Sequence, residues 1–239
     1  MSILNTNQEN VIATFDVRNF FKRWPRFYYF IGTVFGPMMY SGLSAKKFLE
    51  RFPREGMTLN IGSGPRTINS EVVNVDIYPY AGVKIVADVN AIPLPSESVA
   101  RIVSDTVLEH VTDPTLAVKE MRRLLAPGGL AFVTVPFLYP YHSSPNDYQR
   151  WTKTGVGELF RDFEIVEIGV RAGPFSALTA HLNHLFAVIF SFGSARVESL
   201  LVNLVMFVTF PLKLPDLVFN HWPNAEKVAS VLYLVARKK

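Results

Sequence analysis

From Met57 to about Val170 the chain alternates short apolar runs with helix-spaced patterns. Thr58–Ile61, Val72–Asp76, Val83–Ala87, Arg101–Ser104 and Leu130–Val135 are brief, mostly apolar runs bounded by turn formers, as expected of strands buried on both faces. Asp113 followed by Pro114 marks a helix start, because the carboxylate can cap free backbone N–H groups and proline needs no donor at the first position. Leu116, Met121, Leu124 and Leu125 are predicted to share its buried face, and Pro127-Gly128-Gly129 turns the chain into the next strand. Glu158–Phe160 reads as helical and Glu164–Val170 as a further alternating strand. A final strand, Val231–Ala236, is followed by the polar tail Arg237-Lys238-Lys239. Strands joined by crossovers predict an α/β, mostly parallel sheet covered on both faces.

The flanking zones are different. In Met1–Gly56, Arg18, Lys22, Arg23 and Arg26 interleave with Phe20, Phe21, Trp24, Phe27, Tyr28 and Tyr29, and Ser44–Phe52 reads as a short helix with Ser44 as N-cap. This zone is expected to be an aromatic, basic, helical lid. Residues 171–227 form an apolar zone in which Leu178, Leu182, Leu185, Phe186 and Ile189 follow helical spacing, predicting an amphipathic helix. No internal repeat or low-complexity segment interrupts the chain.

Composition narrows the options. The 239 residues suit one α/β domain with elaborations, and 49% are hydrophobic against 18% charged, with mean hydropathy +0.20. A net charge of +4 suits an anionic membrane surface or a phosphorylated substrate better than a nucleic acid, which is not expected as a partner. The absence of cysteine excludes disulfides, thiolate metal sites, cysteine nucleophiles and cysteine-ligated iron–sulfur chemistry. The N-terminus shows no basic and apolar signal pattern, and Ser199–Leu212 is short for a bilayer span. The expectation is a cytoplasmic protein with peripheral contact to a membrane.

Candidate chemistry gathers at strand ends, where open parallel sheets bind ligands. Gly62-Ser63-Gly64 follows the first strand, and its glycines allow a tight turn and close approach of a ligand to the backbone. Asp76 ends the second strand, where a carboxylate can accept both hydroxyls of a ribose. Asp88 ends the third, where it can accept from an adenine amino group while the Val89 N–H meets a ring nitrogen.

Those residues, with Leu94-Pro95, Val107-Leu108-Glu109-His110-Val111 and Leu124-Leu125-Ala126-Pro127-Gly128-Gly129, resemble the class I S-adenosylmethionine-dependent methyltransferases, type 11 branch. The resemblance covers about Met57 to Phe163. It implies a Rossmann-like seven-stranded sheet with an antiparallel last strand, and a helical apolar insertion before that strand. It also implies S-adenosyl-L-methionine as cofactor, held by Asn60, Gly62, Ser63, Gly64, Arg66, Asp76, Ile77, Asp88, Val89, Ser104 and Glu109, with Ser104–His110 lining the reaction centre. Four features depart from the family pattern. Asn60 stands for an acid, Arg66 for a third glycine, and Val99-Ala100 for Phe-Asp. Only seven residues separate Gly64 from Val72, too few for the usual helix and its anion-favouring N-terminus. Arg66 is expected to compensate by pairing with the cofactor carboxylate.

The loop after the fifth strand carries His142, Asp147, Tyr148 and Arg150 in a His-x-x-Pro-x-Asp-Tyr-x-Arg-x-Thr pattern that resembles a subgroup of type 11 enzymes. His142 or His110 could accept a proton from an acceptor hydroxyl or amine, Asp147 could orient His142, and Arg150 could bind an anionic group. Alternatively Asp147 and Arg150 brace the loop. Tyr141 and Tyr148 complete the expected acceptor contacts. No metal site is expected: His181 and His184 lie three apart but have no third ligand nearby. The acceptor is expected to be a small or lipid-like molecule methylated on oxygen or nitrogen. The alternative is a non-catalytic cofactor-binding partner subunit. The apolar insertion remains open as lid, homodimer surface or membrane-facing patch.

Overall fold

A computed structural model describes residues 35, 36, 38–142 and 146–239. The aromatic and basic cluster of residues 18–29, expected to form the lid, lies outside them. The account below concerns the described residues from 38 onward, which belong to one compact unit.

Seven strands form one sheet in the order β3-β2-β1-β4-β5-β7-β6. They are β1 (Thr58–Ile61), β2 (Val72–Asp76), β3 (Val83–Val86), β4 (Val99–Asp105), β5 (Leu125–Pro136), β6 (Phe163–Ala172) and β7 (Val231–Lys238). β1 to β5 pair in parallel, and β7 runs antiparallel to both β5 and β6. The sheet is therefore Rossmann-like and mostly parallel, with its direction reversed only at the last-formed strand.

The helix α1 (Ala45–Arg51) covers one face, capped by Ser44, whose hydroxyl accepts from the Lys47 N–H. Its Phe48 is fully buried and stacks on Phe132 of β5 at 5.3 Å. The helices α2 (Pro114–Leu124) and α3 (Lys153–Leu159) supply the larger core on the other face, where Met121, Leu124 and Val156 meet Ile61, Ile102 and Val133. Asp113 caps α2 by accepting from the Thr115 and Leu116 N–H groups. Leu116 does not share its buried face and is 48% exposed. It sits about 140° around the helix from Met121, whereas Ala117 and Val118 stand at the spacing that meets the core.

β4, β5, β6 and β7 run beyond their expected bounds, and two of the extensions have a clear physical reason. β5 begins at Leu125 because Val99 pairs with Leu125 and Arg101 with Leu130, so the Pro-Gly-Gly turn bulges out inside the strand instead of preceding it. Arg54 holds this bulge through the Pro127 and Gly128 carbonyls. β7 continues to Lys238, so the expected polar tail is largely strand; the Lys238 ammonium donates to Glu97 at 3.0 Å and to the Leu125 carbonyl at 2.7 Å.

The apolar insertion lies between β6 and β7 and contains α4 (Pro174–Ser191), α5 (Ala195–Thr209) and the short α6 (Asp216–Phe219). Gly173 at the N-cap of α4 has no side chain, so the buried Asp216 carboxylate caps the helix from across the insertion. It accepts from the Phe175 N–H at 3.0 Å and the Ser176 N–H at 2.7 Å. A Cβ on Gly173 would meet the Asn220 amide oxygen at 1.8 Å.

The polarity of α4 is reversed relative to a helix on a soluble core. Its buried positions are Ser176, Ala177, Thr179, Ala180, Asn183, Ala187 and Ser191. Leu178, Leu182, Leu185, Phe186 and Ile189, the apolar stripe read from the sequence, are exposed. α5 has no buried residue. The two helices pack together, α4 burying small side chains, while Leu178, Leu182, Leu185 and Phe186 of α4 and Leu200, Leu204, Phe207 and Val208 of α5 stay exposed.

Candidate active site

The turn after β1 is built for close approach. Gly62 has φ +65°, and a Cβ there would strike the Val107 side chain at 2.5 Å. Gly64 has φ +54° and open space where a Cβ would stand. Both conformations favour glycine. Asp76, at the end of the adjacent β2, accepts from the Gly64 N–H at 2.8 Å and the Tyr78 N–H at 2.9 Å. The first glycine turn and the first carboxylate therefore meet at one sheet edge, and the Asp76 carboxylate fixes the turn itself.

Behind the turn, Asn60 and Asn74 stand opposite each other on β1 and β2. Asn60 donates to Asn74 at 3.0 Å, and Asn74 donates to the Arg66 carbonyl and the Thr67 hydroxyl. Both amides are buried. They secure the helix-free connection from β1 to β2, so Asn60 acts on the loop and not directly on the crevice. Arg66 is exposed on that loop.

Asp88 is exposed just past β3, on the same edge, and accepts from the Asn90 N–H at 2.8 Å. The Ala87 N–H donates to the Asp76 carbonyl, tying the ends of β2 and β3 together. Ile77 is exposed and Val89 half-buried beside these acids. Ser104 ends β4 fully buried, its hydroxyl without a protein partner; the Asn90 amide oxygen is likewise unpartnered.

A single 3-10 turn, Leu108–His110, follows β4. Its Glu109 is fully buried, and neither carboxylate oxygen has a hydrogen-bond partner. The loop after β5 folds over it: the Tyr148 N–H donates to the Glu109 carbonyl at 2.8 Å, and the Trp151 N–H to the Pro136 carbonyl at 3.1 Å. This brings His142 to His110, their rings 5.2 Å apart and edge to face.

Within that loop, Asp147 accepts from the His142 N–H at 2.8 Å and from the Arg150 guanidinium through both oxygens. Burial opposes ionisation of Asp147, but Arg150 and the His142 N–H outweigh it and hold the carboxyl down to about 2. Arg150 also donates to the Tyr139, Pro140 and Gln149 carbonyls. Its donors are committed to the loop, so the bracing alternative describes its geometry better than the expected contact with an anionic acceptor. Tyr141 and Tyr148 are exposed at the lip.

The residues expected to bind cofactor and acceptor thus gather at the carboxyl ends of β1 to β5. A separate cleft lined by Lys46, Glu50, Arg54, Thr58, Glu71 and Arg101 lies at the starts of the strands, away from this edge. Among the described residues, His181 and His184 bond to carbonyls of their own helix, Ala177 and Ala180.

Comparisons with known proteins bear on the domain and the fold. The family model for a methyltransferase domain, type 11, matches residues 56–133. No curated protein matches the chain in sequence. Among solved structures, an S-adenosylmethionine-dependent methyltransferase from Thermotoga maritima is 15% identical, with 92% of this chain and 99% of that one covered and a TM-score of 0.53. The Haemonchus contortus phosphoethanolamine N-methyltransferase 2, solved with phosphomonomethylethanolamine and S-adenosylhomocysteine, is 14% identical over 92% of this chain and 60% of that one, TM-score 0.51. A chain from the complex of the Haloferax volcanii Trm112 methyltransferase activator with a methyltransferase is 18% identical over 93% and 97%, TM-score 0.50. At these identities the likeness is one of fold. Residues 56–133 thus match a type 11 methyltransferase domain, and they lie on a sheet with the Rossmann-like order of the methyltransferase neighbours.

Proposed function

We propose that the protein transfers a methyl group from S-adenosylmethionine to a small, lipid-like acceptor. The observation that carries this reading is the meeting of the Gly62–Gly64 turn with Asp76, beside Asp88, at the edge where such sheets bind ligands. The residues fit the cofactor. Gly64 leaves open space at its Cα, and Ser104 and Asn90 offer buried oxygens that no protein group uses. Asp76 would take the ribose hydroxyls, Asp88 the adenine amino group, and Arg66 the carboxylate of the methionine part.

When bound, the cofactor supplies a methyl group already activated on a sulfonium, so the chain's task is mainly to position the acceptor and exclude water. Residues 137–142 and 146–151 frame that position, with His110 and His142 available to take a proton from an acceptor hydroxyl or amine.

The lipid-like character rests on the α4–α5 hairpin. Residues 199–212 carry no charged side chain, and an 18-residue window within Ala195–Lys213 has mean hydropathy 1.5 with none of it buried. Small residues inside and large aliphatic ones outside match a surface whose solvent is hydrocarbon. We read the hairpin as a peripheral lipid contact, to which the net charge of +4 adds attraction for an anionic leaflet.

The test is transfer from radiolabelled S-adenosylmethionine by the full chain, with small amines, phenols and carboxylates in solution and amphiphilic acceptors in vesicles. Label moving into a vesicle-borne acceptor supports the reading. Tight cofactor binding with no transfer to any acceptor would favour the partner-subunit role.

A further inference from the structure

The structure assigns a divalent-metal site to Glu109, His110 and His142, beside the crevice. Three observations carry it. First, the Glu109 carboxylate is fully buried, yet neither oxygen receives a hydrogen bond. A buried carboxylate without donors is costly, and such groups are ordinarily paired or coordinate a metal.

Second, both imidazoles turn Nε2 toward it. Glu109 Oε1 lies 3.8 Å from His110 Nε2 and 3.7 Å from His142 Nε2. These separations are too long for hydrogen bonds and close to the ~3.4 Å between two ligands of a tetrahedral zinc ion. One ligand atom from each residue lies within 4.8 Å of the others.

Third, the outer partners are those of metal-bound histidines. His110 Nδ1 meets the Asn146 carbonyl. His142 Nδ1 faces Asp147 Oδ2 at 3.4 Å and the Pro140 carbonyl at 3.4 Å, with Arg150 Nη2 at 3.5 Å. At His110 the carbonyl acceptor favours the proton on Nδ1, leaving the Nε2 lone pair for a cation; at His142 the carbonyl and carboxylate favour the same tautomer while the Arg150 donor opposes it. Two imidazoles and one carboxylate suit Zn²⁺ and neighbouring transition ions rather than Mg²⁺ or Ca²⁺.

Three protein ligands leave coordination positions open. They would take an oxygen of the acceptor, lowering the pKa of a hydroxyl before methylation. That role rests on the methyl-transfer reading; binding of the ion does not.

The test uses tag-free full chain, stripped with chelator and titrated with Zn²⁺ by calorimetry and with Co²⁺ by visible absorption. The expected result is one ion per chain, with affinity falling at least about tenfold in Glu109→Gln and in His142→Ala, and unchanged in His181→Ala. Circular dichroism checks that each variant is folded, and His142→Ala, at a half-buried position, keeps the test valid should Glu109→Gln fail to fold. No stoichiometric binding, or binding indifferent to His142→Ala, overturns the site. Zn²⁺ binding that depends on these residues, in a chain that transfers no methyl group, overturns the functional reading and leaves the site standing.

Discussion

The Gly64 N–H donates to Asp76 Oδ2 at 2.8 Å, so the acid expected to hold the ribose also shapes the turn expected to face the methionine part. Asp76→Ala therefore has two consequences. It strands the Gly64 and Tyr78 N–H groups, costing about 1–3 kcal/mol in denaturant unfolding, and it lowers S-adenosylmethionine affinity by at least about tenfold. Unchanged affinity by calorimetry would remove Asp76 from the cofactor site.

Arg66 stands exposed on the loop that replaces the usual helix. Arg66→Ala is expected to weaken cofactor binding several-fold, more at low salt than at high, without lowering the melting temperature. Equal calorimetric affinity for the variant would show that the cofactor carboxylate is met by other groups.

Asp147 ties stability to acid pH. Its folded pKa of about 2 lies below the ordinary 3.8, so its contribution is complete above pH 4 and is lost as pH falls toward 2. Asp147→Asn should cost about 2 kcal/mol at neutral pH and flatten the acid limb between pH 4 and 2 in urea unfolding. A parallel acid limb in variant and parent would contradict it.

Asp216 caps α4 from a distance in sequence of about forty residues. Asp216→Ala should destabilise by about 1–2 kcal/mol. Hydrogen exchange should locate the loss in the first turn of α4, at Phe175 and Ser176, and uniform loss of protection across the sheet would refute a local cap.

Leu182 and Leu185 face outward on α4. The double change Leu182→Gln and Leu185→Gln should leave stability in solution within about 0.5 kcal/mol of the parent. Flotation with anionic vesicles should fall more than about tenfold, since each leucine carries roughly 1.5–3 kcal/mol of transfer free energy. Loss of a dimer on gel filtration, with flotation unaffected, would assign the surface to a second copy instead.

The sequence is legible where both faces of a strand are buried. Thr58–Ile61 and Val72–Asp76 coincide with β1 and β2 because each is a brief, mostly apolar run stopped by turn formers. The start of β5 is not legible, because a bulge lets Leu125 join the ladder ahead of the glycines that read as a stop. Periodicity finds α4 but cannot say which side meets the protein; the answer lies in the small residues Ala177, Ala180 and Ala187. The Glu109–His142 pairing escapes the sequence altogether. Thirty-three positions separate the two, and only the fold of the loop over the 3-10 turn makes them neighbours.

That loop is seated by a main-chain bond from Tyr148 to Glu109. The bond joins two main-chain atoms, so no side-chain substitution at Tyr148 or Glu109 removes it directly. Exchanging the exposed Tyr148 ring should therefore alter what the protein presents to solvent while leaving the backbone around Glu109 in place.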